Sequence, residues 1–392
     1  MTVLALKEAP ARISSGTSKN VRLATTLAEK EAIYRLRYQV YIEEMGGGVR
    51  HSEADPAKRQ LRDELDEKAL HFYVCQQGEV VACVRHNLRR DGPFECEDSF
   101  AMQRFAPAYP NQVSMTSRLV VHPKLRGTHV LKELACTGFE YGIQKTDMRF
   151  DFIDCHPRLI PLYSRLGYRI YDPGFRHPKY VYVVPMVLVF HDVDYLERIK
   201  SPFAPIAAQR PRSTQDRDLL LSQFPDATHG ELMSELGESE FWRLLRTRLV
   251  DPTATVGRLC LFSNLAEDQL KLLTSLGNVV RCRAGDPVLM RGDPGREIFV
   301  ILDGSFRVRA DDVREGSWQA KSLIAGDIFG EIAFLTNGLR SAAVVATEDS
   351  SLLILNARAL DHLIAIDPTL AAKIFRNMGA IVATRMRDSL HF

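Results

Sequence analysis

The chain has 392 residues, enough at roughly 100–200 residues per domain for two domains and a linker. Its 45% apolar and 26% charged residues are the balance of an ordinary globular protein. With 51 basic against 49 acidic side chains, a net charge of +2, it lacks the strong field that makes nucleic acid or an anionic membrane a main partner.

The first twenty residues are polar, small and Pro/Gly/Ser-bearing, and are expected to be a flexible terminus without a signal peptide. No later stretch reaches about 18 uninterrupted apolar residues, so stable membrane insertion is not expected. From Ala28 to Met45, Ile33, Leu36, Val40 and Tyr41 recur at helical spacing, and Gly46-Gly47-Gly48 ends the helix. His71 to Cys75 and Val80 to His86 form a hairpin around Gln76-Gln77-Gly78. Ser117 to Val121 is a strand, followed by a Gly-bearing turn and a helix from about Thr128 to Lys145. Phe150 to Cys155 is a strand, Pro157 to Leu166 a short helix, and Val181 to Phe190 a buried strand. Mixed strands and helices make this half α/β.

Residues 201–256 open with Pro202, Pro205 and Pro211 and carry helical periodicity from Glu231 to Leu249, a linker with helices. A helix over Ala266–Leu276 follows. Then come short strands punctuated by Gly285, Gly292, Gly295, Gly304 and Gly326, the pattern of a small β-roll. Leu370 to Leu390 reads as a long amphipathic helix. The expected division is 1–20 flexible, 21–200 an α/β domain, 201–256 linker and 257–392 a β-roll domain with flanking helices. Cys75, Cys83, Cys96, Cys136, Cys155, Cys260 and Cys282 are odd in number and contain no CxxC pair. That scatter points to core thiols in a reducing cytoplasm, and no His/Cys/Asp cluster suggests a metal.

In the last third, Phe329, Gly330, Glu331, Ile332 and Ala333 open a helix from glycine, and Arg340, Ser341 and Ala342 follow. Glycine and a helix start offer backbone N–H groups to a phosphate. Arg340 offers a bidentate cation, and Glu331 an acceptor suited to a ribose hydroxyl. The simpler reading is a salt bridge within a turn. Ala284-Gly285-Asp286, Gly292-Asp293, the run from Ile298 to Gly304 and this cassette resemble the cyclic-nucleotide-binding domains of catabolite-activator-like regulators and regulated kinases. The resemblance implies cAMP or cGMP as effector, with Glu331 on the ribose 2′-hydroxyl, Arg340 on the cyclic phosphate, and Gly330, Ser341 and Ala342 donating further bonds. Leu339 stands where many members have proline. No second basic helix pair follows the long helix, so no nucleic acid is expected as partner.

In the first half, Val120, Val121, Arg126 and Gly127 lie on a strand and basic turn before a helix, and Tyr163 lies on a helix before Gly167. These resemble the two cofactor motifs of the GNAT N-acyltransferase fold, with His129 where acetyl-CoA users carry a small residue. The order of Tyr34 to Tyr41, Asp63 to Asp66, Cys83 to Arg85 and Thr116 to Arg118 resembles long-chain N-acyl amino acid synthases and acyl-homoserine-lactone synthases. By that resemblance Arg37, Asp63, Asp66, Arg85 and Arg118 surround the acceptor and the thioester; each can also be read as a helix-surface charge or an ion pair locking the first helix to the sheet. Met115 stands where the lactone synthases carry a glutamate, and Gly47 where they carry tryptophan, which argues against a homoserine lactone product. The base is left among Glu97, Asp66 and a backbone-held water.

The expectation is an α/β GNAT-like domain joined to a β-roll cyclic-nucleotide-binding domain with flanking helices. It would move a fatty acyl group from acyl carrier protein (acyl-ACP) or acyl-CoA to an amino acid or similar small-molecule amine, without a metal, under control of the nucleotide. Acyl carrier protein and a second copy in a homodimer are the macromolecular partners left open. The alternatives are a non-catalytic sensor whose first half binds a partner, and a protein lysine acetyltransferase.

Overall fold

The computed structural model describes residues 20–45, 51–179, 182–228, 260–293, 295–309 and 321–390. The chain divides into two compact units. One comprises Met1–Asp154, Tyr163–Arg169 and Met186–Pro225; the other comprises Cys155–Leu162, Ile170–Pro185 and Asp226–Phe392. The glycine run at 46–48 and the linker helix expected over 231–249 lie outside the described residues.

In the first unit, β1 (Val21–Leu23) leads to helix α1 (Leu27–Tyr38). Thr26 caps it in a reciprocal box: the Glu29 N–H donates to Thr26 Oγ1 at 3.3 Å, and the Thr26 N–H donates to the Glu29 carboxylate at 2.9 Å. The expected helix to Met45 is interrupted. From Gln39 to Glu44 the chain widens into a π-turn, with Met45 N–H donating to Val40 C=O at 3.0 Å. A π-turn inserts one residue into the helical phase. The Tyr41 ring accordingly meets the His51 ring at 5.4 Å and the Arg118 guanidinium at 5.4 Å.

A small ribbon, β2 (Ala54–Asp55) and β3 (Gln60–Leu61), precedes the main hairpin of β4 (Leu70–Gln76) and β5 (Glu79–Leu88). Its turn residues Gln77 and Gly78 both have positive φ, +50° and +86°, as a two-residue hairpin turn requires. β6 (Val113–Val121) starts four residues earlier than expected, and α2 (Val130–Lys145) two residues later. β7 (Phe150–Cys155), α3 (Ile160–Leu166), β8 (Arg169–Ile170), β9 (Phe175–Arg176) and β10 (Tyr182–Val189) follow. Next come the short helices α4 (Val193–Arg198), α5 (Ala204–Ala207) and α6 (Gln215–Gln223). The sheet order is β1-β4-β5-β6-β7-β10-β8, its last two strands counted only partly in this unit. β4, β5 and β6 are antiparallel, whereas β6 and β7 are parallel and pair only from Val113↔Phe150 to Met115↔Phe152.

Two layers cover this sheet. On one face Ile33, Tyr34, Leu36 and Val40 pack on Tyr73, Cys83 and Val120. On the other, Val130 and Leu134 of α2 meet Phe72, Val74, Val84 and Val121. Two mid-helix glycines, each costing about 1 kcal/mol against alanine, let α2 approach closely. A Cβ at Gly138 would lie 2.6 Å from His86 Nε2, and one at Gly142 would lie 2.6 Å from the Phe190 ring.

The second unit contains a β-roll of two four-stranded antiparallel sheets with flanking helices. Its elements are α7 (Glu267–Ser275), β11 (Asn278–Cys282), β12 (Pro287–Leu289), β13 (Glu297–Asp303), β14 (Ser305–Arg309), β15 (Lys321–Ile324), β16 (Ile328–Phe329), α8 (Glu331–Thr336), β17 (Ala343–Ala346), β18 (Ser350–Asn356), α9 (Ala357–Ile366) and α10 (Pro368–Leu390). The sheets run β11-β18-β13-β16 and β12-β17-β14-β15. Alternation on β13 sends Ile298, Val300 and Leu302 to the helices, where Leu273, Leu363, Leu370, Ile374 and Met378 bury them. Phe299 lies on the opposite face, stacked at 4.9 Å on Phe329. Gly285, Gly292, Gly304 and Gly326 turn with φ of +81° to +89°.

Candidate functional site

The five residues expected around the acceptor form one buried cluster in the first unit. Arg37, on α1 and fully buried, places Nη1 2.7 Å from Asp66 Oδ1. Arg85, on β5, reaches Asp63 Oδ1 at 2.5 Å and Asp66 Oδ1 at 3.1 Å. Arg118, on β6, reaches Asp63 Oδ2 at 2.8 Å and Glu53 at 3.0 Å. Three guanidinium groups thus face three carboxylates, and a balanced set is what allows six charges to be buried together. The Asp63–Asp66 spacing has a local cause: the Leu65 N–H donates to Asp63 at 3.1 Å and the Asp63 N–H to Asp66 at 2.8 Å. Helix capping and ion pairing therefore use the same two side chains. Burial would raise both carboxyls, but Arg85 beside Asp63, and Arg37 with Arg85 beside Asp66, hold them below the usual range.

His71 completes the cluster. Its Nδ1 lies 3.2 Å from Arg37 Nη2, a donor, and its Nε2 lies 3.2 Å from the Asp66 carbonyl. A neutral ring protonated at Nε2 satisfies both contacts, and burial together with the Arg37 charge pushes its pKa down to about 4. His51 contacts Glu53 at 3.3 Å. Glu53, His51 and His71 have no periodic or spacing signal in the sequence; tertiary folding brings them to the arginines.

Arg118 has φ +53°, the left-handed region that bulky residues avoid. The β5–β6 register shifts here, from Cys83↔Val120 to Arg85↔Ser117, so β6 carries an extra residue. This bulge turns two consecutive residues to one face: Ser117 accepts from Arg85 Nε at 2.9 Å, and Arg118 enters the cluster. Val120 and Val121, just beyond, are buried on opposite faces. In the following turn Arg126 pairs with Glu44 at 2.5 and 2.8 Å, and Gly127 has φ +83° with open space where a side chain would stand. Tyr163 does not join this turn. It meets Tyr168 edge-on at 5.6 Å and lines a pocket of about 650 Å3 on the α2 face of the sheet. Phe72, Leu119, Phe139, Leu188 and Phe190 make that pocket largely apolar, with His86, Thr116 and Asp151 as polar points in its wall.

In the second unit Gly330, with φ +84°, precedes α8. A Cβ there would come within 2.7 Å of Arg340 Nη1, and one at Gly295 within 2.5 Å of Nη2. Gly295, expected as a turn residue, is thus required for room beside the arginine. Arg340 is buried, donating to the carbonyls of Glu297 and Gly330 at 2.9 Å each and pairing with the Glu297 carboxylate at 2.9 Å. Burial lowers its pKa against the pull of Glu297, Asp293 and Glu331. Glu331 is also buried and pairs with Arg385 of α10 at 2.8 Å. The simple turn salt bridge between Glu331 and Arg340 is therefore not what forms; each has its own partner. Phe329 and Ala333 are buried, Ala342 is half-buried, and Ile332 and Ser341 are exposed. Arg340, Asp293, Glu297 and Phe299 line a pocket of about 250 Å3 within this unit.

Residues 32–192 match the family model described as N-acyl amino acid synthase FeeM, and residues 279–367 match that of the cyclic nucleotide-binding domain. The chain carries an N-acyl amino acid synthase domain and a cyclic-nucleotide-binding domain. It is 30% identical over 129 residues to the cyclic AMP receptor protein of Thermus thermophilus, covering 33% of this chain and 58% of that protein. It is 37% identical over 92 residues to the cGMP-dependent protein kinase egl-4 of Caenorhabditis elegans, covering 24% of this chain and 11% of the kinase. A solved cyclic nucleotide-binding domain from Methylobacillus flagellatus is 26% identical, with a TM-score of 0.33, over 39% of this chain and 82% of that one. Among the described residues of the two domains, no group of three or more His, Cys, Asp or Glu side chains is arranged to hold a metal, and no helix is long and apolar enough to cross a membrane.

Proposed function

We propose that the synthase domain, GNAT-like in this reading, transfers a fatty acyl group from a thioester of acyl carrier protein or CoA to the amino group of an amino acid. The nucleotide-binding domain sets the rate. The observation that carries this reading is the buried arginine–carboxylate cluster at a bulged strand, backed on the other sheet face by an apolar pocket of about 650 Å3. β6 and β7 pair from Val113 to Met115, and in this reading the acyl thioester passes between the strands beyond that point.

In this mechanism the acyl chain lies in the apolar pocket and the thioester carbonyl lies at the parting strands. A bulge leaves a backbone N–H without a ladder partner, and such a donor polarises the carbonyl oxygen as negative charge develops. The acceptor's carboxylate takes the place of Glu53 on Arg118, while Arg37, Asp63, Asp66 and Arg85 hold that arginine's surroundings rigid. The amine nitrogen attacks the carbonyl carbon, the C–N bond forms, the C–S bond breaks, and the sulfur leaves as thiol. Val120, Val121, Arg126 and Gly127 approach the carrier's pantetheine arm. In the second domain, a cyclic nucleotide exchanges its phosphate for Glu297 on Arg340 and its ribose hydroxyl for Arg385 on Glu331.

The test is thiol release from long-chain acyl-CoA and acyl-ACP in the presence of an amino-acid mixture, with the N-acyl product identified by mass spectrometry. The wild-type protein should turn over only when an amine is present. Arg118→Ala should lower kcat/KM by at least tenfold, and Arg118→Lys should lie between the two. A preference for acetyl-CoA and protein lysines would replace this reading with a lysine acetyltransferase. Absence of turnover with every donor would leave a non-catalytic sensor.

A further inference from the structure

An ammonium has no lone pair with which to attack, so the proposed reaction needs a base within reach of the acceptor. Asp63 and Asp66 are held by arginines, and Glu53, which gives up Arg118 to the acceptor, keeps its contact with His51 at 3.3 Å. Glu97 is occupied by Arg89 at 2.5 Å, Tyr109 at 2.9 Å and the Phe94 N–H at 2.6 Å. Asp151 accepts from Ser114 and Tyr168, both at 2.5 Å, on the α2 face of the sheet.

Strand alternation then singles out one further carboxylate. The Ser114–Asp151 contact fixes which face of β7 each residue takes, placing Phe150, Phe152 and Asp154 opposite Asp151. On β6 the opposite face is that of Ser117, which the Arg85 side chain contacts at 2.9 Å. Asp154 therefore lies on the cluster face, two residues past the last β6–β7 pair, where the strands have parted. Its carboxylate makes no ion pair and takes no hydrogen bond from another described residue; the one it accepts comes from its own backbone N–H. It remains partly accessible.

We propose that Asp154 takes the proton from the acceptor's ammonium. The assignment rests on the acyltransferase reading above. One N–H bond breaks and its proton passes to the Asp154 carboxylate; the freed lone pair attacks the thioester carbonyl. A second proton from that nitrogen goes to the departing sulfur, and Asp154 returns its own proton to water. Each turnover thus converts an ammonium and a thioester into an amide, a thiol and one released proton. The charged and titratable groups facing Asp154 are Arg118 from β6, Arg85 from β5, Tyr41 from the π-turn after α1 and Glu95 from the loop after β5. Burial pushes its pKa up to about 6, against the lowering by its own N–H and the two arginines. A carboxylate so poised is ionised at neutral pH yet far more basic than Asp66, whose carboxyl the arginines hold down.

The test is thiol release with long-chain acyl-CoA and an amino-acid mixture from pH 5 to 9.5, with a thermal melt of each variant. Wild-type kcat/KM should rise with pH through a single ionisation near 6. Asp154→Asn should lower the rate at pH 7 by about 10²–10⁴-fold and abolish that limb. Its deficit should shrink at high pH, where the acceptor arrives deprotonated. Asp154→Glu should restore part of the rate with a displaced limb, and it serves as the test if the asparagine variant does not fold. An active wild type whose Asp154 variants keep its rate and pH profile overturns the assignment alone. A wild type releasing no thiol from any long-chain thioester overturns the acyltransferase reading and this assignment with it.

Discussion

At the scale of single residues, His71 shows how the cluster ties stability to pH. Its ring is neutral in the folded state, with a pKa near 4 against about 6.5 when unfolded. Between those values the unfolded chain binds more protons, so this contribution is fully present above pH 6.5 and is lost as pH falls to 4. The difference amounts to about 3 kcal/mol at 1.36 kcal/mol per unit. Asp154 acts in the opposite direction: its raised pKa favours the folded state as pH falls from about 6 towards 4. A variant comparison separates the two. The stability gap between wild type and His71→Asn, read from urea midpoints, should narrow by about 3 kcal/mol between pH 7 and pH 4. A gap independent of pH would mean that the ring is not held neutral.

At the scale of elements, two irregularities position the site: the π-turn over Gln39–Glu44, which brings Tyr41 onto Arg118, and the bulge that turns Arg118 inward. Neither has a signature in the apolar pattern, which reads as helix straight through to Met45 and as an unbroken strand from Ser117. Both are selected by contacts with distant segments. A third element-level contact is Arg385 near the end of α10, which bonds both the Glu331 carboxylate and the Ile328 carbonyl at 2.8 Å. A ribose hydroxyl that takes Glu331 should loosen this anchor. Hydrogen exchange of residues 380–388 should therefore quicken when cAMP or cGMP binds. In Arg385→Ala, exchange there should already be fast and should change little on binding. Unchanged exchange in a wild type shown calorimetrically to bind nucleotide would rule out release of the anchor.

At the scale of the whole molecule, the proposal joins a synthase domain to a nucleotide-binding domain, and thermodynamic linkage gives it a strict test. If nucleotide binding changes the affinity for acyl thioester, thioester must change nucleotide affinity by the same factor, typically about 5- to 150-fold. Calorimetry with cAMP and with cGMP, each with and without a non-hydrolysable long-chain acyl-CoA analogue, should give equal shifts in both directions. If both ligands bind and neither shifts the other, equilibrium coupling is excluded, and control would act on turnover alone, to which reciprocity does not extend.

Much of this was legible in the sequence because it is local. The Gln77–Gly78 hairpin, the apolar run of β10, the turn glycines of the β-roll and the cassette from Phe329 to Ala342 each depend on residues close along the chain. Resemblance to the N-acyl amino acid synthases also brought Arg37, Asp63, Asp66, Arg85 and Arg118 together as candidates. Partnership was decided only in three dimensions. Glu297 on Arg340, Arg385 on Glu331, and Glu53 and His71 beside the synthase arginines come from segments 34 to 65 residues away. A charge buried during folding takes whichever countercharge the tertiary structure delivers, because leaving it unpaired costs several kcal/mol. Asp154 is equally a product of the tertiary structure, though it takes no ion-pair partner among the described residues. Its place in an apolar strand is visible in the sequence, but its standing as an uncommitted carboxylate facing Arg85 and Arg118 follows from strand pairing and burial, which no single segment encodes.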